Sequence, residues 1–295
     1  MTLTGLYVPL ITPLDADGDV ALAALEKLAH VVLDNGANGL VALGTTGEPG
    51  ALSDAEQRAV VTVAARVCRE RNAQLLVGAN TTEALQGLRD LPELTAALSL
   101  VPPFVRPGEA GVLAHFTHLA TAGVPLVVYH IPHRTAQHVS TPTLHALAAI
   151  PGVIGVKYGA AEIDPETVAL LADPPPGCAV LGGTDAIISP LLAMGAHGGI
   201  LASAHVATTG FAELIRSWQS GDAQRAASLG HRLAKLSLAL FAEPNPTVIK
   251  GVLHARGEIP TPAVRLPLLP AHPDTVRTAM QLLEECDTDL PGQLA

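Results

Sequence analysis

The sequence predicts an α/β fold, a closed (β/α)8 TIM barrel with a C-terminal helical appendage, and three observations carry that expectation. Eight short apolar runs, most of them edged by Gly or Pro, recur over residues 1–220. Amphipathic segments separate them, as parallel strands require, because each parallel return needs a helical crossover. The G-x-G-x-x-G turn that would follow the first strand of an open doubly wound sheet is absent, which disfavours that alternative.

The runs place strands at 6–11, 39–43, 75–78, 97–101, 126–129, 153–157, 179–181 and 199–201. Ahead of the second, Leu22, Leu25, Leu28, Ala29 and Val32 repeat at helical spacing. After it, Ser53-Asp54-Ala55-Glu56 has the pattern of a capping box opening a helix. Beyond residue 220 the alternation stops. Helices are expected over 223–241 and 245–255, then a proline-punctuated link over 259–273 and a last helix over 274–285. No flexible linker precedes this part, so residues 1–220 read as the barrel carrying the active site and 221–295 as a helical extension of the same unit.

Composition narrows the function classes. With 295 residues, 48% hydrophobic and 15% charged, the chain is expected to be globular and long enough to bury a sizeable core. A formal charge of −10 argues against a nucleic-acid backbone as partner, although a local site can oppose the global sign. No apolar stretch approaches the roughly 18 to 20 uncharged residues of a spanning helix, so no membrane association is expected. The N-terminus has neither a basic leader nor a cleavage-like site. Cys68, Cys178 and Cys286 are widely spaced and odd in number, which points to a reduced, cytoplasmic protein.

Lys157 is the most informative residue. It is one of only four lysines, and it closes the run Val153-Ile154-Gly155-Val156. A lysine, unlike an arginine, can lose its proton and attack as a free amine. Taken alone, it is equally readable as a structural ion pair or a phosphate anchor. In a barrel of this kind the chemistry sits where strands end and the following loops begin. Strand two ends in Gly44-Thr45-Thr46-Gly47-Glu48, strand five in Tyr129-His130-Ile131-Pro132-His133-Arg134-Thr135, and strand six in Lys157-Tyr158-Gly159. Each has a bland reading: a linking turn, a core tyrosine, an exposed arginine, solvated histidines. Together they bring an amine, a phenol, two hydroxyls and a guanidinium to one mouth. Leu201, at the end of strand eight, is expected to contact substrate there. Gly182-Gly183-Thr184 after strand seven is too generic to weigh.

The combination resembles the dihydrodipicolinate synthase and N-acetylneuraminate lyase family. The likeness runs in order through the three segments above and on to Glu243-Pro244-Asn245-Pro246 and Arg265-Leu266-Pro267-Leu268, nearly the whole chain. It implies a class I, Schiff-base lyase with a 2-oxo acid and an aldehyde as substrates, no cofactor, no metal, and a homotetramer built as a dimer of dimers. Lys157 would form the imine with the C2 ketone of pyruvate, and Tyr129 would move protons. Thr45, grouped with these two as catalytic, would hold the pyruvyl carboxylate together with Thr46 and Gly47. Arg134 would clamp a carboxylate of the second substrate.

Two departures bear on that substrate. Synthases of the family carry a tyrosine pair after strand four, one of which extends a proton relay into a neighbouring subunit. Here the loop reads Val101-Pro102-Pro103-Phe104-Val105-Arg106-Pro107, without a hydroxyl at Pro103 or Phe104. His130 stands where the family usually has asparagine. The resemblance therefore leaves open an aldolase or dehydratase for 2-keto-3-deoxy sugar acids, and, from another class, a barrel that binds a 2-oxo acid without turnover.

Overall fold

Alternation along each strand divides the apolar residues into two layers, one filling the barrel and one facing the helices. In the computed structural model, which describes residues 3–287, the strands are β1 (Gly5–Pro9), β2 (Gly39–Ala42), β3 (Gln74–Gly78), β4 (Leu94–Leu100), β5 (Leu126–His130), β6 (Val153–Tyr158), β7 (Ala179–Gly182) and β8 (Gly198–Ile200). They pair in parallel in chain order, and β8 returns to β1 through Gly5 opposite Gly198 and Tyr7 opposite Ile200, closing the barrel. Tyr7, Val41, Leu76, Leu98, Val127 and Leu181 pack inside. Leu6, Val8, Leu40, Val128, Val156 and Val180 face outward into the larger layer beneath the helices. Residues 1–2 and 288–295, which fall within the expected barrel and extension spans, lie outside the described set.

The helices are α1 (Leu22–Asp34), α2 (Asp54–Arg71), α3 (Thr82–Gly87), α4 (Gly108–Ala120), α5 (Pro132–Thr135), α6 (Thr141–Ala148), α7 (Pro165–Ala172), α8 (Ile188–Ala193), α9 (Thr208–Ser220), α10 (Ala223–Leu240), α11 (Thr247–Ala255) and α12 (Pro273–Asp287). The expected stripe of α1 is buried at Leu25, Leu28, Ala29 and Val32, while Leu22 lies at its exposed end. The capping box of α2 forms in both directions, Ser53 N donating to Glu56 at 2.7 Å and Glu56 N to Ser53 Oγ at 3.3 Å.

Some boundaries shift. β4 begins three residues earlier than expected, and β1 ends at Pro9 instead of residue 11. The helix expected from Asn245 begins at Thr247, because a residue before proline is disfavoured in helical conformation and Pro246 has no N–H to give. That shift leaves Asn245 in a loop at the barrel mouth.

Charged groups tie the C-terminal elements to the loop after β2. Lys250 of α11 is fully buried, paired with Glu48 and donating to Ala263 O at 2.9 Å. Glu48 also accepts from Arg265 N at 2.9 Å. The Arg265 guanidinium grips Glu56 with two nitrogens and donates to the carbonyls of Ala51 and Gly18, and this holds the Glu56 carboxyl down to about 2. The expected Arg-Leu-Pro-Leu segment is thus a strap across the start of α2.

Candidate active site

The loops after β2, β5, β6, β7 and β8 meet the last turn of α10 around a cavity of about 280 Å³. Lys157 enters it from β6. Its neighbours Val156 and Tyr158 both point to the helix layer, so strand alternation turns the lysine inward. Its register partner on β5 is Tyr129, also inward, and Nζ lies 4.2 Å from the centre of the Tyr129 ring. Lys157 is 5% exposed, and among the described residues no carboxylate comes within ion-pair distance of its amine. Its stem runs along Gly183: a Cβ there would stand 2.9 Å from Lys157 Cε and 3.0 Å from Cγ, so only glycine leaves room.

Thr45 and Thr46 also line the cavity. The turn that carries them, Thr45–Gly47, is flanked by two residues in left-handed conformation, Leu43 (φ 53°) and Glu48 (φ 56°), which fold it back over the mouth. Thr46 Oγ1 accepts from Asn245 Nδ2 at 2.9 Å. With that lone pair engaged, its own O–H is left to donate to a ligand. Gly47 does not line the cavity. It is buried behind Thr46, its N–H is given to Gly44 O at 2.9 Å, and its carbonyl accepts from Thr12 Oγ1 at 2.8 Å.

On the β5 side, α5 carries His133 and Arg134 to the exposed rim. Burial, and then the neighbouring Arg134 charge, push the His133 imidazole towards its neutral form. Two cations, Lys157 and Arg134, therefore face one cavity in a chain of net charge −10. A small anion is the ligand such a field favours.

Leu201 is a correction. It is fully buried in the layer under the helices, and its neighbours Ile200 and Ala202 line the cavity instead. The strand period explains the reversal: Ile200 is the inward residue of β8 and Leu201 follows it by one. Phe104 does not touch the cavity of its own chain either. It stands 88% exposed with φ 67° in the loop after β4.

Sequence reasoning passed over Asp185 and Asn245. Asp185, in the turn after β7, is buried in the cavity wall and accepts from Ser203 N at 2.6 Å. Burial raises its carboxyl above the ordinary range, against the pull of the Ser203 amide and the Lys157 charge. Asn245 has one amide on Thr46 and a buried Oδ1 that no protein group meets. A polar residue two beyond Gly183, at the same barrel end as the Gly-Thr-Thr-Gly turn, was the available signal for the first. His130, in contrast, faces away from the cavity: it lies beside Tyr158 in the outward layer, ring centres 5.5 Å apart, and burial takes its imidazole down to about 4.

The chain is similar to known proteins along nearly its whole length. The model of the dihydrodipicolinate synthetase family matches residues 2–286. The chain is 34% identical to 4-hydroxy-tetrahydrodipicolinate synthase 2 of Clostridium acetobutylicum over 92% of its length and 96% of that relative. It is 35% identical to the 4-hydroxy-tetrahydrodipicolinate synthase of Neisseria meningitidis serogroup B over 91% and 93%. Among solved structures, a chloride-inhibited dihydrodipicolinate synthase from Acinetobacter baumannii, complexed with pyruvate, superposes with a TM-score of 0.90 at 32% identity, covering 97% of this chain and 99% of that one.

Proposed function

The chain belongs to the dihydrodipicolinate synthetase family, and on that premise we propose that its pyruvate chemistry is run by Lys157, Tyr129 and the double threonine. The protein is a class I, pyruvate-dependent lyase of Schiff-base type. The observation that carries the residue assignment is the buried Lys157 amine, stacked over Tyr129 with no carboxylate in ion-pair distance among the described residues. In its neutral form that amine adds to the C2 ketone of pyruvate, giving a carbinolamine. The departing hydroxyl takes a proton and leaves as water, with Tyr129 as the carrier. The resulting iminium accepts the electron pair of a C3–H bond as that proton leaves, which gives an enamine. Enamine C3 then bonds to the carbonyl carbon of an aldehyde, whose oxygen takes a proton, and water hydrolyses the iminium to free the lysine. The reverse sequence cleaves the same bond.

Thr46 O–H and the exposed Thr45 hydroxyl hold the pyruvyl carboxylate, with Asn245 orienting Thr46. Arg134 offers a planar fork to a carboxylate on the second substrate. Asp185, kept towards its neutral acid by burial, adds no competing negative charge. We place the protein in the cytoplasm, since no helix among the described residues is long and apolar enough to cross a membrane and its cysteines are free. A dimer of dimers is the assembly proposed, with the exposed Phe104 loop as a candidate contact.

The testing experiment follows pyruvate consumption with aspartate semialdehyde and a panel of other aldehydes, beside borohydride trapping of the pyruvate adduct. Adduct formation with turnover of at least one aldehyde is expected. An adduct without turnover of any aldehyde would leave a binding barrel in place of an enzyme.

A further inference from the structure

The carbon–carbon step needs a proton of its own. When enamine C3 bonds to the aldehyde carbon, the aldehyde oxygen is left as an alkoxide unless a nearby acid supplies one. Of the hydroxyls lining the cavity, Thr184 Oγ1 is given to Ala160 O at 2.7 Å and Ser237 Oγ to Leu233 O at 2.7 Å. Asp185 keeps one carboxyl oxygen on Ser203 N and lies in the wall, 4% exposed, away from the water that must recharge an acid after each turnover.

His133 has neither restriction. It is the one imidazole lining the cavity among the described residues, on the same short helix as Arg134 and at the exposed rim. The Gly159 backbone hydrogen-bonds its ring. Gly159 gives its own N–H to His130 O at 2.8 Å, so the group that meets the imidazole is the Gly159 carbonyl, which accepts. One ring nitrogen therefore carries the proton of the neutral form, and the other keeps a lone pair. Gly159 follows Lys157 by two residues, so this tether holds the imidazole beside the end of β6, from which the lysine enters. A cavity of about 280 Å³ keeps a molecule bonded to Lys157 close to the groups in its wall.

Resting on the Schiff-base reading, we infer that His133 is the acid–base residue of the carbon–carbon step. As enamine C3 bonds to the carbonyl carbon, the carbonyl π pair moves onto oxygen. The N–H on the ring nitrogen not held by Gly159 breaks, and its proton goes to that oxygen. Water at the rim restores the imidazolium. In cleavage the neutral ring takes the same proton from the hydroxyl. The ionisable groups facing it across the cavity are Arg134, Tyr129, Asp185 and Lys157, the last as an iminium once pyruvate is bound.

The test holds pyruvate saturating, so that Lys157 is already an imine, and reads kcat/KM for aspartate semialdehyde, succinic semialdehyde and glyceraldehyde. Exchange of the pyruvate C3 hydrogens in heavy water and borohydride trapping are followed beside it. For the aldehyde turned over fastest, His133→Asn should lower kcat/KM by about 10²-fold. Exchange and trapping should persist in that variant, because both precede the carbon–carbon step. Added imidazole should return part of the turnover to His133→Ala, which the loss of a packing contact would not allow. In the wild type kcat/KM should fall as pH rises across about pH 5 to 8, the range in which an imidazole titrates. That limb should vanish in His133→Asn and remain in Asp185→Asn. Absence of adduct and exchange in the wild type, or turnover of no aldehyde, overturns the reading of the chain as a Schiff-base enzyme and this inference with it. With wild-type turnover in hand, undiminished turnover in His133→Asn, loss of exchange in that variant, failure of imidazole to rescue His133→Ala, or a pH limb that follows Asp185 overturns this inference alone.

Discussion

Lys157 and Lys250 are both buried, 5% and 0% exposed, yet their surroundings are opposite. Lys250 sits in the seam between α11 and the loop after β2, with Glu48 and the Ala263 carbonyl answering its charge. Lys157 sits in the barrel mouth, with an aromatic face at 4.2 Å and glycine along its stem. Burial of a lysine thus says little by itself. A charge that is fully paired belongs to the architecture, because removing one partner strands the other. An amine held over a tyrosine and opening into a cavity is placed to react.

The largest effect should come from Lys157. Lys157→Arg keeps the positive charge but not a deprotonatable amine, and turnover should fall by roughly 10⁴-fold or more, the scale of losing a nucleophile. Unfolding by urea should change little. If the arginine variant retains turnover, the contrast between the two lysines collapses. Lys250→Met should do the reverse: stability falls by about 3–5 kcal/mol because Glu48 is left buried without its cation, read as a lower urea midpoint. Folded Lys250→Met should still form the pyruvate adduct.

Tyr129→Phe removes one hydroxyl from the mouth and nothing from the seam. Turnover should drop by about 10²-fold with stability almost unchanged. Turnover equal to wild type would make Tyr129 a packing residue. A smaller effect is expected at Asn245→Ala. Losing one hydrogen bond that orients Thr46 should raise KM for pyruvate by several-fold, corresponding to about 1 kcal/mol, and leave kcat less affected.

The mouth and the seam also differ towards acid. His205 is fully buried at the mouth end of β8, accepting from Ile11 N at 3.0 Å and donating through Nδ1 to Ala202 O, and burial takes it from 6.5 to about 4. Its neutral form is the folded one, so it contributes stability above pH 6.5 that is lost as pH falls towards 4, on the order of 3 kcal/mol in all. Glu56 in the seam loses its contribution only between its ordinary 4.5 and about 2. Unfolding free energy should therefore already decline between pH 6.5 and 5, and His205→Gln should flatten that decline. A slope unaltered by the substitution would assign it to other groups.

What the sequence made legible follows from how local the signal is. The strand cores and the residues that end them were readable, because a run of apolar residues followed by Lys157, or by Gly44-Thr45-Thr46, needs no knowledge of the rest of the chain. Leu201 was misplaced because the inward or outward sense of β8 depends on its register with β1, where Ile200 lies opposite Tyr7. Asn245 reaches Thr46 across 199 residues, and no local pattern encodes that meeting. Asp185 is one of 27 acidic residues, singled out only by burial beside the lysine. The rim was illegible for the same reason: Leu238 reads as a helix residue until α10 is seen to end over the cavity.

Reduction with borohydride in the presence of pyruvate, followed by peptide mass mapping, distinguishes Lys157 from Lys250 as the residue that carries the chemistry. One adduct on Lys157, and none in Lys157→Arg, is the predicted result. An adduct on Lys27, Lys235 or Lys250, or no adduct at all, would contradict it.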